Sequence, residues 1–139
     1  MKCTVKWLDN KTFIGESGSG HSVVMDGAPA DGGRDLGIRP MEMLLLGLGG
    51  CTAFDVVMIL DKSRLKYVDC RVEIEAERAT EIPKVFTKIH VHFVVSGKGI
   101  DPAKVKKAVD LSAEKYCSAS KMLEAAAEMT HDFEIIEVD

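Results

Sequence analysis

Apolar and polar positions alternate over the first seven residues, with Cys3, Val5 and Trp7 on one face and Lys2, Thr4 and Lys6 on the other. This predicts a half-buried strand with Cys3 as a core residue. Two further short strands follow at 12–15 and 22–26, joined by a glycine- and serine-rich turn at 17–20, so the chain opens as an antiparallel meander. Residues 27–37, GAPADGGRDLG, have no periodicity and read as a loop. Over residues 40–60 the pattern changes, because Leu, Met, Val and Phe fall on every side rather than along one stripe. That predicts a helix buried all round. Alternation resumes at Val68, with Cys70, Val72, Ile74 and Ala76 inward and Asp69, Arg71, Glu73, Glu75 and Glu77 outward. A second long strand spans 85–96, with Val85, Ile89, Val91, Phe93 and Val95 inward. His90 and His92 share its other face and, with no third ligand evident, read as a solvent-facing pair rather than a metal site.

Asp101 as N-cap and Pro102 in the first turn open an amphipathic helix with Val105, Ala108, Val109, Ser112 and Tyr116 inward. The pattern restarts near 117–120 as a shorter helix marked by Met122, Leu123 and Ala126, which puts Cys117 close to a helix N-terminus. Residues 131–138 close the chain as a strand. Strands, a buried helix, two long strands, two helices and a strand, in that order, indicate an α+β fold with helices packed on antiparallel sheets, in a single domain over 1–139.

The long helix constrains the assembly. Pro40 suits its first turn, and Glu42 puts a carboxylate where the helix dipole favours one. The uncharged run 43–54 is too short for a bilayer, which needs roughly 20 apolar residues. Extending about 30 Å, the helix would cross a domain whose radius of gyration is near ~14 Å. The rest of a 139-residue chain can hardly cover it on all faces, so a homodimer is expected. Gly47, Gly49 and Gly50 point to close approach by another backbone or a ligand.

Composition narrows the function. A net charge of −4 provides no basic surplus for nucleic acid or a membrane surface, and no signal peptide is visible at the start. Four cysteines without close pairing fit neither a zinc site nor a secreted disulfide scaffold and point to a reducing cytoplasm. Cys70, on an apolar strand face, reads as packing. Cys51, in a glycine-rich part of the buried helix, and Cys117, at a helix start, stand apart from the other two. Spacing alone leaves two readings open: a reactive pair, in which a thiolate attacks a peroxide oxygen and a second thiol condenses with the sulfenic acid, or two buried structural cysteines. No cofactor or metal is called for.

The stretches RPMEMLLLGLGGCTAFDVV and EKYCSASKML, with FIGESGSGHSVVMDG, VDLSAEKYCS and MTHDFEI, resemble the OsmC/Ohr superfamily of thiol peroxidases in its YhfA-like branch, over nearly the whole chain. The resemblance implies an OsmC-like fold: an intertwined homodimer whose sheets wrap around paired central helices, with active sites at the subunit interface. It implies Cys51 as the peroxidatic cysteine, Cys117 as the resolving one, a small organic hydroperoxide as substrate and a lipoyl-type dithiol as reductant. It also implies an arginine held by a glutamate at the helix start. Arg39 and Glu42 are the candidates here, with Arg34 the other available arginine; the family's glutamate position, directly after the proline, holds Met41. A second class of function is a non-catalytic protein that binds a small apolar or electrophilic ligand in the interface cleft near residues 44–48.

Overall fold

The computed structural model describes all of residues 1–139. Its contacts divide the chain into two compact units, Met1–Leu46 and Gly47–Asp139. In the first, β1 (Cys3–Asp9), β2 (Thr12–Ser17) and β3 (Ser22–Met25) form the expected antiparallel meander in the order β1-β2-β3. The turn between β2 and β3 closes through backbone bonds from Ser17 to His21 and from Gly20 to Ser17. Cys3 is exposed, and so are Val5 and Trp7, against the expectation of a core face. The alternation is present, but in the single chain nothing covers it.

The loop after β3 is built around Asp26. Its buried carboxylate accepts the backbone N–H groups of Gly27 (2.7 Å) and Leu36 (3.1 Å) and the Thr12 hydroxyl (3.2 Å). Burial alone would raise this carboxyl, but the N–H donors and the hydroxyl outweigh it and hold its pKa below the ordinary carboxylate value. Gly37 must be glycine for another reason: a Cβ there would lie 2.4 Å from the Val24 carbonyl oxygen, a backbone atom that cannot step aside. The close approach lets Ile38 bridge to Met25 and deliver the chain to α1 (Pro40–Lys62).

The start of α1 explains the position of Glu42. Arg39 precedes the first helical residue, Pro40, so Glu42 is the third residue of the helix. Its carboxylate reaches back to accept the Arg39 backbone N–H at 2.8 Å, which is half of a capping box and satisfies a donor that the helix cannot.

In the second unit, β4 (Tyr67–Arg78) pairs antiparallel with β5 (Phe86–Gly97). The α+β class holds, with one departure from all-antiparallel pairing. The last strand, β6 (Glu128–Glu137), lies parallel to β5, in the order β4-β5-β6, because the chain crosses back through α2 (Pro102–Leu111) and α3 (Ser118–Leu123) before pairing. On β5, Ile89, Val91, Phe93 and Val95 are buried as expected, but Val85 is exposed before the strand begins, and Phe86 takes the inward place. Val68 is also exposed, at a register shift between Tyr67 and Asp69 that breaks the alternation.

The buried stripe of α1 is Leu48, Thr52, Val56 and Leu60, one side chain per turn. Its other faces are open in the single chain: Leu44, Leu46, Phe54 and Met58 are exposed, Phe54 at 67%. The expectation of burial on every face is therefore not met by one chain alone. By length and composition α1 could also cross a membrane. Asp55 in its second half and the wholly buried stripe are the marks of a helix that packs on protein. Of its glycines, Gly49 faces the tip of Ile74 on β4, while Gly47 and Gly50 face open space.

The Asp26 cluster makes a pH-dependent prediction. A carboxyl held below its unfolded pKa contributes stability above that unfolded value, and the contribution is lost as pH falls through the lowered one. Asp26→Asn is expected to lower the urea midpoint at about pH 7, with the gap to wild type narrowing progressively once the pH falls below the ordinary carboxylate value. A gap that stays constant with pH would contradict this role.

Candidate functional site

Cys51 lies on α1, one residue before the buried Thr52 and four before Asp55, so Cys51 and Asp55 share a helical face. Cys117 reaches the same place by a local irregularity. After α2 the helix widens over Ser112–Tyr116, where the Cys117 N–H bonds the Ser112 carbonyl five residues back at 2.9 Å. Such single π-turns often mark functional positions. The widened turn also corrects the helical phase expected from sequence, leaving Tyr116 exposed. Met122, within α3, and Ala126, beyond the end of this six-residue helix (Ser118–Leu123), are likewise exposed.

Cys117 is the N-cap of α3, as its predicted place at a helix start implies, and its Sγ accepts the Ser120 N–H at 3.4 Å. The thiol is fully buried. Burial pushes its pKa up; the Ser120 hydrogen bonds oppose the rise, and the neighbouring Cys51 adds to it. The Cys51 and Cys117 sulfurs and a carboxylate oxygen of Asp55 all lie within 4.8 Å of one another. The two cysteines singled out by sequence are thus brought together, both as free thiols.

A hydroxyl network ties the π-turn to α1 beside the thiols. Thr52 Oγ1 and Ser112 Oγ are 2.7 Å apart, and Ser112 Oγ lies 3.2 Å from an Asp55 carboxylate oxygen and 3.3 Å from the Thr52 carbonyl. Ser112 has one proton to give at a time. Donation from Thr52 to Ser112 and from Ser112 to Asp55 satisfies all three side chains. Thr52 and Asp55 were missed by sequence reasoning, although the one-turn spacing of Asp55 from Cys51 was a usable signal. A cleft of about 350 Å³ opens beside Asp55, walled by Met58, Ile59, Leu111 and Tyr116 with Lys62 and Lys107 at its polar side.

The remaining predicted residues lie in the Met1–Leu46 unit. The Arg39 guanidinium pairs with Asp35 at 2.8 Å and donates to the Gly37 carbonyl at 2.9 Å. Glu42 caps the helix through the Arg39 backbone, not its guanidinium. Arg34, the other arginine considered, pairs with Asp9 at 3.1 Å and reaches the Thr12 hydroxyl at 3.2 Å. Cys70, read as packing, is half-buried on β4, and burial raises its pKa, with Asp69 adding to the rise.

Two thiols and a carboxylate are also a set of ligand types for a thiophilic cation, but zinc binds thiolate sulfur, and burial holds Cys117 as the neutral thiol. The arrangement is better suited to thiol chemistry. One half-buried sulfur faces a second, buried sulfur whose proton is held, on turns that a hydrogen-bond network keeps in register.

Known proteins carry the same arrangement of elements. A family model described as OsmC-like protein matches residues 32–132. The chain is 49% identical over 136 residues to Protein YhfA of Escherichia coli K12, covering 98% of each chain. It superposes with a TM-score of 0.87 on a hypothetical protein from Aquifex aeolicus VF5, at 26% identity, over 99% of this chain and 97% of that one. An organic hydroperoxide resistance protein OsmC from Legionella pneumophila shares the fold, with a TM-score of 0.70 at 14% identity over 99% and 98% of the two chains.

Alkylation tests the asymmetry of the thiols. In reduced native protein at about pH 8, iodoacetamide is expected to label Cys51 at least about tenfold faster than Cys117, whose labelling should need unfolding. Equal labelling of the two in the folded protein would contradict the site as described.

Proposed function

This chain belongs to the OsmC-like protein family, and we propose that within it the chain is a thiol-dependent reductase of small organic hydroperoxides, working through Cys51 and Cys117. The observation that carries the reading is the meeting of these two sulfurs, from elements far apart in sequence, within 4.8 Å. A disulfide needs the sulfurs to close to about 2.05 Å, within reach of side-chain rotation once the π-turn and α1 are tied together by Thr52 and Ser112.

The chemistry follows in two steps. The Cys51 thiolate attacks the outer oxygen of the hydroperoxide, the O–O bond breaks, and the leaving alkoxide takes a proton to become the alcohol; Cys51 is now a sulfenic acid. The Cys117 sulfur then attacks that sulfenic sulfur, displacing hydroxide, which leaves as water with the proton Cys117 gives up. The two cysteines are joined and oxidised by two electrons. A small or lipoyl-type dithiol reduces them by thiol–disulfide exchange, ending as its own disulfide. Holding Cys117 as a neutral thiol suits a resolving residue, which must wait until Cys51 has reacted.

The assisting pair in this reading is Arg39 and Glu42. Glu42 fixes the first turn of α1, and Arg39, paired with Asp35, is the arginine proposed for the role of assisting cation. The whole chain acts as one OsmC-like domain in a reducing cytoplasm, where all four cysteines start as free thiols. It acts as a homodimer: Leu44, Leu46, Phe54 and Met58 on α1 and Val5 and Trp7 on β1 are large apolar side chains exposed in the single chain, and a second copy is the simplest cover for them.

Two experiments test this reading. Adding one equivalent of an alkyl hydroperoxide to reduced protein should give a Cys51–Cys117 disulfide on peptide mapping; Cys117→Ser should stop at a Cys51 sulfenic acid, and Cys51→Ser should give neither product. A wild-type protein that keeps both thiols would sink the peroxidase reading. For the assembly, sedimentation should find a dimer that Phe54→Asp weakens by about 100-fold or more, the cost of an unpaired buried charge. A wild-type monomer, or a variant that dimerises as well as wild type, would refute it.

A further inference from the structure

On the opposite face of the second sheet from Val91 and Phe93, the parallel pairing of β6 with β5 sets Asp132 directly beside His92 and Thr130 beside His90. This placement supplies the third ligand that the sequence did not reveal, since Asp132 lies 40 residues beyond His92 and joins it only through the crossover. His90 Nε2 is 3.0 Å and His92 Nδ1 2.6 Å from the same oxygen, Asp132 Oδ1. The three candidate ligand atoms lie within 4.8 Å of one another. In a tetrahedral site with metal bonds of about 2.0–2.2 Å, ligand atoms stand about 3.3 Å apart, so small rotations open the required space.

We propose that His90, His92 and Asp132 form a site for a borderline divalent transition cation such as zinc, separate from the cysteine pair. The second nitrogen of each ring supports the assignment. His90 Nδ1 is 2.7 Å from Thr130 Oγ1, and His92 Nε2 is 3.7 Å from a Glu134 carboxylate oxygen. Each imidazole therefore turns one nitrogen to the shared carboxylate and the other to a separate oxygen. Metal-ligating histidines are oriented and made more basic in this way. Two imidazoles and one carboxylate select zinc, nickel or copper over magnesium or calcium, which prefer oxygen ligands.

The surroundings favour positive charge. Glu73 and Glu75 stand opposite His92 and His90 on β4, with Asp132 and Glu134 on β6 and only Lys88 as a cation nearby on β5. Arg71 pairs with Glu73 and offsets part of this charge. The His92 imidazole is held above its ordinary pKa, first by its bond to Asp132, against the loss of hydration, with Glu134 adding. The ligands are reachable, since the side chains of His90 and His92 are 39% and 26% exposed.

The test is calorimetric titration of reduced protein with zinc chloride, alongside the ring resonances of the four histidines in NMR spectra. One equivalent per chain is expected to bind and to perturb His90 and His92, but not His21 or His131. His90→Ala, His92→Ala and Asp132→Asn should each weaken binding by about tenfold or more, and His131→Ala should not. His92→Gln, which keeps a polar side chain of similar reach, guards against a folding defect in the alanine variant and should weaken binding as strongly. Zinc binding that all of these substitutions leave unchanged, or no perturbation of His90 and His92 at millimolar zinc, would overturn the proposal.

Discussion

A helix whose side chains are apolar on every face must be covered on every face, and α1 meets that requirement only in part. Leu48, Thr52, Val56 and Leu60 bury one stripe, while Leu46 and Phe54 remain open to water in the single chain. Full exposure of such side chains forgoes roughly 1.5–3 kcal/mol apiece relative to burial, which makes a solitary chain an unfavourable end state. The same helix carries Cys51, so whatever completes its cover also sets the environment of that thiol. Pro40 and the Glu42 bond to the Arg39 N–H begin the helix, and the close passage of Gly37 under Val24 aims the chain into it. These local devices make the placement of Cys51 reproducible.

The second sulfur is placed by different means. An ordinary continuation of α2 would have carried Cys117 round in the regular helical phase. The five-residue bond from Cys117 to Ser112 breaks that phase and makes Cys117 an N-cap, and the Thr52 to Ser112 contact fixes the turn against α1. Burial then keeps the Cys117 proton on sulfur despite the donors of Ser120. A half-buried thiol thus faces one that is enclosed and protonated, and the proposed order of events, Cys51 first and Cys117 second, rests on this asymmetry.

Local signals in the sequence were sufficient for most elements, and they singled out the two cysteines whose sulfurs the fold brings together. Asp101 and Pro102 marked the start of α2, and the settings of Cys51 and Cys117 distinguished them from Cys3 and Cys70. What escaped depended on tertiary pairing. The partnership of β5 with β6 runs through two helices, so neither its parallel sense nor the arrival of Asp132 beside His92 is written in any local pattern. Tyr116 was assigned inward because periodicity assumes an unbroken helix, and the π-turn shifts its phase. Cys3, Val5 and Trp7 alternate as a buried face should, but alternation identifies a face without identifying what covers it. The role of Glu42 was half legible: its favourable place near the helix dipole was visible, its reach back to Arg39 was not.

Turnover is what separates a catalytic couple of Cys51 and Cys117 from two neighbouring thiols. Steady-state consumption of cumene hydroperoxide, with dihydrolipoamide as the reductant, measures this most directly. Many turnovers per chain are expected, with one alcohol and one oxidised dithiol formed per hydroperoxide consumed, and loss of turnover when Cys51 is replaced by serine. Consumption no faster than the uncatalysed reaction between hydroperoxide and dithiol, or a rate unchanged without the Cys51 sulfur, would contradict a catalytic couple.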